Sequence, residues 1–132
     1  MLSKCKVLLD TSVVLLVYDG IDPIELIDDV LNMKCDYFIP DIVIDELIRL
    51  ASRDIGIRSR AARLALQYLR DRVKIIHTTR RYETADEFFK EYAANNPSII
   101  IVTNDDELKK ELKSKGIKVL TWWLSKRKFV EV

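Results

Sequence analysis

Val7-Leu8-Leu9-Asp10-Thr11-Ser12 is an apolar run that stops on a carboxylate and then turns into a helix. Three consecutive apolar residues suit a strand buried on both faces, as in a parallel sheet. Thr11 or Ser12 is placed to cap a helix that begins at Val13. Asp10 is therefore expected at the carboxyl end of a central strand, the edge of an open α/β sheet where ligands and metals bind. Ile99-Ile100-Ile101-Val102 followed by Thr103-Asn104 and Asp105-Asp106-Glu107 repeats the grammar of strand, turn and acid-led helix. Two strands thus deliver acids to one edge.

Outward from these stretches, strand and helix signals alternate. A short helix over 13–18 is closed by Asp19-Gly20, and Pro23 opens another over 24–33 with Ile24, Ile27, Val30 and Leu31 on one face. Strand 37–39 stops at Pro40. Asp41 then caps a helix over 42–51 with Ile44, Leu47, Ile48 and Ala51 as its apolar stripe. After a hinge at Asp54-Ile55-Gly56 comes a basic helix over 58–70, with Ala61, Leu64, Ala65, Tyr68 and Leu69 facing inward. Strand 73–77 is followed by Thr84-Ala85-Asp86-Glu87, a capping box that opens a helix running to about residue 94. The strand at 99–102, a helix over 105–115 capped by Gly116 and a strand at 118–120 complete the pattern. Five strands with helices between every pair imply a parallel sheet with right-handed crossovers and helices on both faces, a three-layer α/β/α architecture.

The 132 residues, 48% of them hydrophobic, are expected to form a single domain over 1–132. No apolar run approaches the roughly 20 residues of a membrane span, and no signal-peptide layout is legible, so the expectation is a cytoplasmic protein without a membrane role. Cys5 and Cys35 have no metal-ligand spacing and read as small buried hydrophobes, a disulfide being the exception that a heat-loving source would allow. The net charge of +1 hides alternating blocks. Residues 19–46 sum to −8, 47–81 to +8, 82–112 to −5 and 113–132 to +5. Local pairing of solvated helix faces explains any one block, but acid clusters beside basic helices also suit a metal site that attracts a polyanion.

Aspartates in first helical turns stabilise the helix dipole, which accounts for Asp86 and Asp105 structurally. Asp10 is different, because a carboxylate ending a buried strand is costly to desolvate unless a cation or donors meet it. Glu46 borders the apolar face of its helix. The reading that unites them is convergence of Asp10, Glu46, Asp86 and Asp105 at one sheet edge, where mutual repulsion calls for a divalent cation. Oxygen donors without His or Cys point to Mg²⁺ or Mn²⁺.

Asp10-Thr11-Ser12, Glu46 within Asp45-Glu46-Leu47, Ala85-Asp86 and Thr103-Asn104-Asp105 resemble, in order, the four acidic motifs of the PIN domain, a family of metal-dependent ribonucleases. The likeness runs from Val7 to Leu120 and is nearest to stand-alone archaeal PIN proteins related to a ribosome-biogenesis nuclease, with VapC toxins sharing fold and acids. It implies a sheet in the order 3-2-1-4-5. It also implies an endoribonuclease in which the four acids hold one or two Mg²⁺ or Mn²⁺ ions, Ser12 and Thr103 add polar support, and Arg49, Arg53, Arg58, Arg60 and Arg63 hold the RNA backbone. Ser12 stands where the family often has Asn. Implied partners are RNA, a second copy in a homodimer, and an antitoxin or a ribosomal component.

His77, the single histidine, offers no nucleophilic pairing and reads as structural, and Trp122 and Trp123 read as sealing the sheet edge. Two other classes compete. A response-regulator receiver also carries five parallel strands and an acid cluster, but His77-Thr78-Thr79 stands where its phosphoacceptor would be. A non-catalytic RNA-binding or ribosome-assembly module could carry the same acids.

Overall fold

The computed structural model describes residues 5–53 and 55–132. Asp54 of the expected hinge, and residues 1–4 of the expected domain, lie outside them. The strands are β1 Lys6–Leu9, β2 Asp36–Pro40, β3 Lys74–Ile76, β4 Ile100–Val102, β5 Lys118–Trp123 and β6 Lys128–Glu131. They form one sheet in the order β3-β2-β1-β4-β5-β6. The first five are parallel, in the expected order, and β6 is antiparallel to β5. Among the described residues the helices are α1 Thr11–Val14, α2 Pro23–Leu31, α3 Asp41–Ala51, α4 Ile57–Leu69, α5 Ala85–Asn95 and α6 Asp106–Ser114. Val7, Leu8, Leu9, Ile101 and Val102 of the central strands are buried to within 1%, as a sheet covered on both faces requires. A receiver sheet has the order 2-1-3-4-5, with its third strand inside. Here β3 is an edge strand whose Lys74 and Ile75 are exposed, so that alternative fails.

Several expectations need correction. The sheet has a sixth strand, because β5 continues to Trp123 and returns as β6 through a 3₁₀ turn over Leu124–Lys126. That turn carries no Gly, Pro or Asn; it relies on Arg127 at φ 50°, a backbone conformation other residues usually supply. Trp122 meets Phe129 of β6 edge-on at 5.0 Å between centroids, which seals that sheet edge, while Trp123 is half-exposed. Helix α1 starts at Thr11 with Asp10 itself as N-cap, ahead of the expected caps. Asp41 does not cap α3: its carboxylate accepts from the Thr78 amide and hydroxyl, each at 3.0 Å, and so ties α3 to the end of β3. Half of the capping box at Thr84 forms, since the Glu87 amide donates to the Thr84 hydroxyl at 3.2 Å. The Glu87 carboxylate binds Arg80 at 3.1 Å instead. Helix α6 ends with Lys115 at the C-cap and Gly116 just beyond it, where φ is +79°. The amides of Gly116 and Ile117 donate to the carbonyls of Lys113 and Leu112, the two bonds that close a helix C-terminus around a left-handed glycine.

The buried face of α3 is Val43, Leu47 and Leu50, with Ile48 exposed, and that of α4 includes Ala62 in place of Leu64. Both helices are apolar over a wide arc, so periodicity alone does not choose the inward line. Ala61, Ala62 and Ala65 of α4 are all buried. Val30 of α2 likewise faces out. Cys5 and Cys35 are joined in a disulfide, with Cα atoms 4.8 Å apart. The parallel register that sets Lys6 opposite Asp36 brings the two residues just before those strands together.

Candidate active site

Leu9 of β1 pairs with Val102 of β4, so both chains leave the sheet side by side. The turn that follows each strand decides what is brought together. Asp10, a residue only 8% exposed, donates its amide to the Val102 carbonyl at 3.1 Å, and its carboxylate accepts from the Thr11 amide at 2.7 Å. The Thr103 hydroxyl donates to Asp10 Oδ2 at 2.7 Å, and the Ser12 hydroxyl reaches the same oxygen at 3.4 Å. Thr103 is fully buried, and its hydroxyl oxygen also accepts from the Asp105 amide at 3.1 Å. Asp105 is exposed and caps α6, accepting from the Leu108 amide at 2.8 Å. Glu46 reaches in from α3, where the Thr11 hydroxyl donates to its carboxylate at 2.8 Å. Asp86 lies half-buried in the first turn of α5.

Burial is the main cause that pushes the Asp10 carboxyl above its ordinary value of 3.8. The bonds from Thr103 and Thr11 pull it back, while the charges of Asp86 and Glu46 raise it further. Asp86 is also raised, first by burial and then by the charge of Asp105, with partial relief from Lys90. Asp10 thus lies within reach of the charges of Glu46 and Asp86, and Asp86 within reach of that of Asp105. Among the described residues none of the four is in a salt bridge. The lysines nearby are engaged elsewhere, Lys90 with Glu111 at 3.1 Å and Lys109 with Asp106 at 2.9 Å. Among the described residues no three His, Cys, Asp or Glu side chains are gathered closely enough to hold a metal ion as they stand. Carboxylates under mutual repulsion, with hydroxyls as the only other side-chain donors, fit a hard divalent cation such as Mg²⁺ or Mn²⁺.

A cleft of about 400 Å³ between α3 and residues 82–85 is lined by Asp45, Glu46, Arg49, Tyr82 and Thr84, and it ends at Ala85 beside Asp86. Of the five arginines singled out in the sequence, Arg49 is the one in this cleft. Arg53 and Arg58 border a separate hollow of about 680 Å³ with Leu50 and Ile57. Arg60 donates to the Tyr18 hydroxyl at 3.4 Å, and Arg63 donates to the Ala51 carbonyl at 3.1 Å and to Ser59 at 2.6 Å. Arg63 therefore fastens α4 to the end of α3. His77 is exposed just past β3.

Two polar residues are not singled out by the sequence. Thr11, which reads as a helix cap, is buried and orients Glu46. Asn104, which reads as a turn residue, accepts from the Trp122 amide at 3.0 Å and the Thr121 hydroxyl at 3.2 Å. Adjacency to Asp10 and Asp105 is the one sequence signal that points to them.

Residues 7–124 match the model of a PIN-like domain family. The chain is 35% identical over 108 residues to a protein named ribonuclease VapC4 from Methanocaldococcus jannaschii, covering 80% of this chain and 79% of that one. Its fold is similar to that of the PIN domain endonuclease Utp24, with a TM-score of 0.80 and 26% identity over 96% of this chain and 90% of the other. A domain of a functionally unknown protein from Methanocaldococcus jannaschii is a more distant neighbour, with a TM-score of 0.56 and 25% identity over 89% of each chain.

Proposed function

We propose, from the premise that this chain belongs to the PIN-like domain family, that it is a Mg²⁺- or Mn²⁺-dependent endoribonuclease whose metal ligands are Asp10, Glu46, Asp86 and Asp105. The observation that carries this reading is Asp10, a buried carboxylate pushed toward protonation by burial and by two neighbouring carboxylates, with no cationic side chain among the described residues paired to it. The relative named a VapC ribonuclease and the neighbour named a PIN endonuclease favour cleavage over a non-catalytic RNA-binding role. A toxin paired with an antitoxin and a ribosome-assembly nuclease would share this chemistry, and both would act on RNA.

A divalent cation bound here would neutralise charge at the scissile phosphate and make a water acidic enough to give up a proton to solvent and attack as hydroxide. The chain's own contribution is orientation. Thr103 and Thr11 fix Asp10, Thr11 also fixes Glu46, and the first turn of α6 fixes Asp105. Arg49 at the cleft wall would meet the RNA backbone beside these acids. Ser12 and Thr103 hold the strand-end turns together.

Thermal melting tests the ligand assignment. Mn²⁺ should raise the melting temperature of the wild type and leave Asp10→Asn unmoved. In chelator, Asp10→Asn should melt at or above the wild type, because it relieves like-charge repulsion. A wild type indifferent to Mn²⁺, with a variant that simply melts lower, would make these acids helix caps and nothing more.

A further inference from the structure

Asn104 has no place in the metal-binding reading, yet it stands where β4 leaves the sheet. Val102 lies opposite Leu120 in the parallel pair of β4 and β5, and the Thr103 amide still donates to the Leu120 carbonyl at 3.1 Å. Parallel ladders space their bonds evenly, so the next donor on β5, the Trp122 amide, calls for a carbonyl from the departing chain. The Asn104 side chain provides it, with Oδ1 accepting from Trp122 at 3.0 Å and from the Thr121 hydroxyl at 3.2 Å. The backbone is thereby released into α6 while the turn stays fastened to β5. Lys109 of α6 donates to the same Thr121 hydroxyl at 3.2 Å, a second fastening of that helix to the strand.

The groups held by this knot are the site groups. The Asn104 amide donates to the Ser12 hydroxyl at 3.2 Å, and that hydroxyl reaches Asp10. Its neighbours in the chain are Thr103, which bonds Asp10, and Asp105. We infer that Asn104 is a positioning residue: by standing in for a strand carbonyl on β5, its side chain sets the placement of Asp105 and of the Thr103–Asp10 pair. It acts through them, since its own carbonyl is directed at β5. The inference rests on the metal-dependent nuclease reading and adds a residue to it.

Asn104→Leu keeps the volume and removes the acceptor, whereas Asn104→Asp keeps an acceptor oxygen in place. In Asn104→Leu, kcat for Mn²⁺-dependent cleavage of single-stranded RNA should fall 10- to 100-fold, as expected for loss of a group that orients ligands. KM for the RNA should stay within about threefold, because no RNA-contacting group has changed. The Mn²⁺ concentration that half-saturates the thermal shift should rise by a similar factor of 10 to 100. Asn104→Asp should recover most of both effects. If Asn104→Leu does not fold, Asn104→Ala removes the acceptor without bulk and takes its place in the comparison. A purely structural Asn104 predicts a lower melting temperature with unchanged kcat and Mn²⁺ titration, which would overturn the inference. So would equal damage in the Asp and Leu variants. A wild type that neither responds to Mn²⁺ nor cleaves RNA would overturn the nuclease reading itself, and the positioning role with it, whereas an active wild type with a normal Asn104→Leu variant removes only the latter.

Discussion

At the scale of single residues, the raised carboxyls of Asp10 and Asp86 have a consequence for pH. Both hold their protons more tightly in the folded protein than in the unfolded chain, where the ordinary value is 3.8. Their contribution to stability is therefore complete below that value and is lost as pH rises through the folded values. Metal-free protein should gain melting temperature on going from neutral to mildly acidic buffer, in the interval before Glu91 and Asp106 begin to take up protons. Those two are held low by Arg80 and Lys109 and work in the opposite sense. Melting in chelator across pH checks this: the gain should shrink in Asp10→Asn, and an identical slope in variant and wild type would contradict it. Asp10 stands out in the sequence because a carboxylate after a buried strand asks for an explanation, whereas Asp86 by itself reads as a first-turn helix acid. The hydrogen bonding around Asp10 is not legible there. Whether Thr11 turns toward Glu46 depends on the relative placement of segments 35 residues apart.

At the scale of elements, the disulfide links the amino ends of β1 and β2, across the sheet from the acids at the carboxyl ends. Closing a loop of sequence separation 30 limits the unfolded chain, which amounts to about 3 to 4 kcal/mol by loop entropy. Reduction, or Cys35→Ser, should lower unfolding free energy by about that much, measured by denaturant titration with and without reductant, while leaving Mn²⁺-dependent RNA cleavage intact in the folded protein. Loss of cleavage before any unfolding would show that the clamp reaches the site. The strands and helices themselves are legible wherever an apolar run meets a strong stop such as Pro40, Gly20 or Gly116. The sixth strand is not, because its turn uses Arg127 in a conformation that no residue type announces. The inward lines of α3 and α4 are also hidden, since their apolar arcs are broad enough that packing between the two helices makes the choice.

At the scale of the whole molecule, the strand order puts β1 between β2 and β4, so the order reverses between β1 and β4, the place in an open α/β sheet where ligands bind beyond the carboxyl ends. The first five strands of that order follow from the family resemblance, and the convergence of acids on one edge follows from the alternation of strand and helix. The alternating charge blocks are legible as composition but not as surface, because helix packing separates the arginines. Arg49→Gln should weaken RNA binding and lower the slope of log K against log salt by about one unit, the effect of releasing one phosphate from a cationic side chain. Arg63→Gln should instead lower stability and leave the slope alone, since Arg63 is bonded to Ala51 and Ser59. Fluorescence anisotropy with a labelled single-stranded RNA across salt concentrations separates the two, and equal slopes in both variants would return the arginines to solvation.

If the four acids form a metal-dependent RNA-cleaving site, cleavage must need both the cation and the charge of Asp105. End-labelled single-stranded RNA incubated with wild type and with Asp105→Asn, each in chelator and in Mn²⁺, tests it most directly, because Asn still caps a helix and so removes the charge without removing α6. The wild type should cleave internally in Mn²⁺ alone, and the folded variant should not cleave. Cleavage by the wild type in chelator, or undiminished cleavage by Asp105→Asn, would contradict that requirement.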